Sequence, residues 1–172
     1  WERRLYQYTA ILFDPNVEGR IYMGQFPGGF FISEDNGASW KCSSLGLGND
    51  GIFSLAMHPE DPNTLFAGTY NGIWKSTDQG RTWTNSSKGM PGEQWPFCVV
   101  IDPENPLIMY TATKNGMNKG FPENNQFWGV VMKSVDGGKT WKYIMNNLTN
   151  RAEYYQLIIH PDNSSILFLS SM

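Results

Sequence analysis

The chain has 172 residues, 13 Lys and Arg against 16 Asp and Glu, a formal net charge of −3, and 40% hydrophobic and 15% aromatic residues. That length fits one domain, and mixed charge without a run of Lys or Arg argues against a phosphate backbone or an anionic membrane as partner. Apolar runs such as 98–101 and 157–159 are far shorter than the about 20 residues a spanning helix needs, so no membrane insertion is expected.

Trp1 opens the chain with no basic or apolar leader, so no targeting segment is visible. A first strand is predicted over 8–13, ending at Asp14-Pro15-Asn16, then a second over 21–24 and a third over 30–33. The third runs into Ser33-x-Asp35-x-Gly37-x-Ser39-Trp40, and a fourth is expected at or just before that Trp. The succession returns with strands 52–57, the turn His58-Pro59, 65–68 and 73–76, closing on Ser76-x-Asp78-x-Gly80-x-Thr82-Trp83. It returns again with 97–101, Asp102-Pro103, 108–111 and 130–134, closing on Ser134-x-Asp136-x-Gly138-x-Thr140-Trp141. Strands 155–159 and 166–169, around His160-Pro161, begin a further copy.

Taking Trp1 as the last residue of a truncated copy, the motif Trp residues 1, 40, 83 and 141 are 39, 43 and 58 positions apart, a blade-sized period with one long unit. Four antiparallel strands per unit, without helical periodicity, predict an all-β chain: a β-propeller of about three complete blades plus partial blades at both ends. We label the strands of a blade A to D from the axis outward. Small residues in strand B (Gly24, Gly68, Ala112) let neighbouring sheets approach closely. Residues 1–172 read as a single, incomplete propeller domain, whose partners would be the remaining blades or a self-associating copy.

The three Ser-x-Asp-x-Gly-x-(Ser/Thr)-Trp segments resemble the Asp box, or bacterial neuraminidase repeat. That repeat occurs in sialidases, xyloglucan-hydrolase propellers, sortilin-type receptor propellers and photosystem II assembly propellers. With a His/Asp-Pro turn in every unit, the chain is most similar to the xyloglucanase, sortilin and assembly-factor branch. The resemblance implies a folding role for Ser33, Asp35, Gly37, Trp40, Ser76, Asp78, Gly80, Trp83, Ser134, Asp136, Gly138 and Trp141; a secreted or extracytoplasmic setting is expected of the module. The turn chemistry agrees: a short Asp bonds nearby backbone N–H groups, Gly supplies positive φ, and Trp anchors. Because one Asp falls in each blade, the three do not converge into a catalytic pair. His58 and His160 fill the slot held elsewhere by Asp14 and Asp102, so backbone capping is expected of them.

Strand alternation puts the A–B and C–D turns on one face and the B–C and D–A loops on the other. The third unit carries about 14 extra residues in its B–C loop, within 114–129. A ligand is therefore expected on that second face, held by Tyr70, Trp95, Phe121, Phe127, Trp128, Arg151 and Tyr154. Aromatic rings beside amides and carboxylates suit a glycan or a protein partner. Phe121, Phe127 and Trp128 could equally fold the long loop on itself.

Resemblance to xyloglucanase propellers implies a catalytic Asp in a Thr-Asp-x-Gly-Gly segment after strand B. Here the matching stretches read Gln25-Phe26-Pro27, Thr69-Tyr70-Asn71 and Thr113-Lys114-Asn115, without that Asp. The remaining acids for a glycoside hydrolase are Asp50, Glu93, Glu123 and Glu153, which would need carboxyl separations of about 5 to 9 Å. The expected function is thus a non-catalytic module binding a glycan or protein, with glycoside hydrolysis as the alternative. Cys42 and Cys98 match no disulfide, zinc or redox spacing, and neither cofactor nor metal is expected. Sequons at Asn85, Asn147 and Asn163 permit glycosylation without arguing for it.

Overall fold

The computed structural model describes residues 7–48, 50–90, 94–115, 129–148 and 152–171. Regular structure among them is entirely β. Strands β1 (Gln7–Phe13), β2 (Ile21–Phe26), β3 (Gly29–Ser33) and β4 (Lys41–Cys42) form one sheet in that order. A second sheet has β5 (Ile52–Met57), β6 (Leu65–Thr69), β7 (Gly72–Ser76) and β8 (Thr84–Asn85). The third has β9 (Gln94–Ile101), β10 (Met109–Asn115), β11 (Val131–Ser134) and β12 (Lys142–Tyr143). Last come β13 (Tyr154–His160) and β14 (Asn163–Ser171), paired only with each other. Each pairing is antiparallel between sequence neighbours, which is the blade architecture of a β-propeller.

The outer strands β4, β8 and β12 begin just after the box Trp rather than at or before it. Two of these Trp residues spend their backbone N–H on the preceding blade, Trp83 on Leu45 O and Trp141 on Lys88 O. The ladder of their own blade therefore starts one residue later. In the third blade the inner pair also outruns the prediction. Past a bulge between Ala112 and Thr113, pairing continues through Lys114–Trp95 and Asn115–Gln94.

Blades stack face to face, and a core fills each junction. Tyr22, Phe30, Ile52, Leu65 and Trp83 occupy the first; Phe66, Ile73, Val99, Met109, Met132 and Trp141 the second; Tyr110, Ala112, Val131, Tyr154 and Leu157 the third. β6 has sheets on both sides and is buried along its whole length. Strand-B glycines are required by this closeness: a Cβ on Gly68 would lie 2.3 Å from Pro96 O, and one on Gly24 2.5 Å from Ile52 Cγ2.

Hydrogen bonds between turns define one face of the molecule. Asn36, Gln79 and Gly137, in the C–D turns, donate backbone N–H groups to Gly19, Asn63 and Leu107 in the A–B turns of the same blades. The opposite face holds the B–C turns after β2 and β6 and the approaches to β5, β9 and β13.

Candidate functional site

The three box turns are closed hydrogen-bond systems. In the second blade Ser76 Oγ donates to Asp78 Oδ1 at 2.8 Å and accepts Gly80 N–H at 2.8 Å. Asp78 accepts Thr82 N–H at 2.8 Å and the Thr82 hydroxyl at 2.6 Å. The same four bonds recur around Asp35 and around Asp136. Bonds from Ser39 and Ser33 hold the Asp35 carboxyl at about 2, and bonds from Thr140 and Ser134 hold that of Asp136 at about 2. Such carboxylates stay ionised and occupied, a poor state for proton transfer. The heads of the other turns also cap backbone: Asp14 and Asp102 through Oδ1, His58 and His160 through Nδ1.

On the opposite face six half-buried rings make one continuous row across four sheets. Phe26 stacks on Phe53 (centroids 5.3 Å apart), Phe53 lies 4.8 Å from Phe97, and Phe97 5.1 Å from Tyr155. Tyr70 and Trp95 meet at 4.4 Å and both contact Phe53. Two repeat positions supply five of the six rings, Trp95 being the exception. Phe53, Phe97 and Tyr155 stand six residues before the turn proline of their strand A, and Phe26 and Tyr70 stand eleven after it. Of the ring residues expected from sequence, the structure brings Tyr70 and Trp95 together. Tyr154 is corrected: it is 2% exposed, inside the third core, and the ring on the row is its neighbour Tyr155. Phe53, Phe97 and Tyr155 are not among the ring residues expected from sequence, because at strand-A positions they read as ordinary β-formers; their shared register six residues before a turn proline is the signal that points to them.

Polar groups flank the row. Asn71 Nδ2 donates to Asp50 Oδ1 at 2.6 Å, and burial, outweighing that bond, raises the Asp50 carboxyl above its ordinary range. Lys114 Nζ lies 2.8 Å from Glu153 Oε1, and Tyr155 OH donates to Glu153 Oε2. Burial opposes ionisation of Glu153, yet the bonds from Lys114 and Tyr155 hold its carboxyl below the ordinary value; the same contact raises Lys114. Both are charged at neutral pH. Glu93, Glu123, Phe121, Phe127, Trp128 and Arg151 lie outside the described residues.

Two recesses have none of the six rings in their lining. One of about 440 Å³ opens beside the first box turn, lined by Glu34, Asp35, Lys41, Cys42 and Arg81, and one of about 500 Å³ runs along β5, β9 and β13. Among the described residues no group of three His, Cys, Asp or Glu is placed to hold a metal ion.

The family model Sortilin-Vps10, described as "Sortilin, neurotensin receptor 3,", matches residues 28–171. A "Probable oligoxyloglucan-reducing end-specific xyloglucanase" of Neosartorya fischeri is 29% identical over 153 residues, covering 78% of the chain and 17% of that protein. A xyloglucanase of Paenibacillus is 27% identical over 182 residues, covering 94% and 16%. Among solved structures, an ancestral GH74 enzyme superposes with a TM-score of 0.76 at 24% identity, over 95% of this chain and 21% of that one. The chain thus spans about a fifth or less of the relatives it matches.

Proposed function

The chain belongs to the Sortilin-Vps10 family, and on that premise we propose that its loop face binds a glycan chain of the xyloglucan class. The observation that carries this is the row of six rings from Phe26 to Tyr155. A sugar ring presents C–H groups to an aromatic face and hydroxyls at its edge, and so needs flat apolar surface bordered by directional donors and acceptors. The row supplies the first; Asp50 with Asn71, and Lys114 with Glu153, supply the second. Xyloglucan is chosen because the curated relatives cited above are named for acting on it. The box turns, saturated by their own bonds on the far face, serve the fold. An extracytoplasmic setting accompanies this function.

Titration of the protein with xyloglucan in affinity electrophoresis tests it. Tyr70→Ala and Trp95→Ala are each expected to weaken retention by more than about 1 kcal/mol, several-fold in affinity. Unchanged retention in both variants, with folding intact, would overturn the assignment.

The xyloglucanase relatives favour a second reading, in which these blades belong to a longer glycoside hydrolase. Asp50 is then the described candidate for general acid, since burial favours its protonated form. Glu153 is engaged by Lys114, and Glu93 and Glu123 complete the candidates. Release of reducing ends that is abolished by Asp50→Asn would establish hydrolysis; retention without release would leave binding alone.

A further inference from the structure

The three blade junctions meet on the loop face through one repeated contact with three chemistries. Phe26 of the first blade packs on Gly51, where a Cβ would lie 2.0 Å from its ring. Tyr70 of the second packs on Trp95. Lys114 of the third pairs with Glu153. The first two pairs are each separated by 25 residues and the third by 39, the difference being the long loop. Each pair joins the residue eleven past one turn proline to the residue eight before the next.

The fold therefore accepts an apolar pair at this position twice. A partly exposed ion pair holds such a junction no better than apolar groups of similar size, because water screens the attraction and ordering two long side chains costs entropy, leaving little net stabilisation. Stability does not account for Lys114 and Glu153. We propose that they form a donor–acceptor pair that reads a vicinal diol on an uncharged sugar docked beside Tyr155, a specificity role that rests on the glycan-binding reading above. The side chains are 33% and 17% exposed, enough to be reached. Lys114 has three N–H donors and Glu153 keeps lone pairs beyond those used by Lys114 and Tyr155. Adjacent hydroxyls match this pair, one accepting from Nζ and the other donating to the carboxylate. A ligand carboxylate does not: it cannot donate to Glu153 and is repelled by it. Tyr155 fixes the pair against the row, since its ring contacts Phe97 while its hydroxyl binds Glu153.

The test exchanges junctions. The double variant Lys114→Tyr with Glu153→Trp installs the pair already present at Tyr70 and Trp95. It is examined by calorimetric titration with a xyloglucan oligosaccharide and with the same oligosaccharide oxidised to carry carboxylates. Wild type is expected to prefer the neutral ligand by about tenfold or more, and the exchange variant to lose about tenfold in affinity for it while keeping its Tm. The swap Lys114→Glu with Glu153→Lys, which keeps one donor and one acceptor, restores most of the loss. Unchanged affinity in the exchange variant, or equal or tighter wild-type binding of the carboxylated ligand, overturns the proposal. The second criterion holds even where the exchange variant does not fold. Binding that depends on Tyr70 and Trp95 but not on this pair overturns this inference alone; no binding of either ligand by wild type overturns it together with the glycan assignment.

Discussion

Ser76 shows what one hydroxyl does in a box turn. It is 1% exposed, accepts Gly80 N–H and orients Asp78, so Ser76→Ala leaves a buried N–H and a carboxylate each short of a partner. A loss of roughly 1–3 kcal/mol in chemical denaturation is expected, with Ser76→Thr costing less. The acids extend this to pH. Folding lowers the Asp35 and Asp136 carboxyls from 3.8 to about 2, and a depressed folded pKa stabilises above the unfolded value. That contribution is complete above about pH 4 and is lost as pH falls toward about 2. Denaturation midpoints should therefore drop across this window in wild type, and less steeply in Asp35→Asn with Asp136→Asn, which also starts lower at neutral pH. An equally steep drop in the variant would remove these carboxylates from the acid response. The box positions were legible because five residue types recur in fixed register. Tyr154 was not, because one step along a strand moves a side chain from loop face to core, and composition alone does not say which of two adjacent tyrosines turns inward.

Between elements, the box Trp is a bolt rather than a turn residue. Trp83 and Trp141 donate Nε1–H to Ser43 O and Ser86 O of the preceding blade, which also accepts their backbone N–H groups. In return Ser43 and Ser86 donate their hydroxyls to Gly80 O and Gly138 O. Trp141→Ala should thus cost about 3–5 kcal/mol, as for a large buried aromatic. Trp141→Phe should cost about 1 kcal/mol for the lost bond. Trp40, 36% exposed against 2% for Trp141, should be markedly more tolerant, and equal losses at Trp40 and Trp141 in thermal melts would refute the bolt. Strand order and turn faces followed from the repeat, since proline turns and Trp residues punctuate it. The strand-A rings did not stand out. Phe53 and Phe97 read as ordinary β-formers, and only the folded stack shows that Phe53 meets Phe26, Trp95 and Phe97 across junctions, and Phe97 meets Tyr155.

At the scale of the whole chain, the same repeat position has two environments. Ile11, Val99 and Leu157 each lie four residues before their turn proline, yet Ile11 is 62% exposed while Val99 and Leu157 are 5% and 2%. The latter two face a preceding blade of this chain; Ile11, with Phe13 beside it on the same face, does not. At the other end Leu157, Ile159, Leu167 and Leu169 pack on the third blade. The alternate residues Ile158, Ile166 and Phe168 point away, with Ile158 and Phe168 directly opposite each other in the ladder. These two faces have the composition of the internal junctions, and apolar patches of that kind associate. The 172-residue chain by itself should therefore show concentration-dependent association in sedimentation velocity. Ile158→Lys with Phe168→Glu, an opposite-charge pair across the ladder, should reduce it without lowering the Tm, because neither side chain belongs to a core among the described residues. Association that is indifferent to both substitutions, and to Ile11→Lys, would mean that the open blade faces are not the adhesive surfaces. Association abolished by the Ile158 and Phe168 pair alone, or by Ile11→Lys alone, would identify the face on which a neighbouring blade docks most strongly.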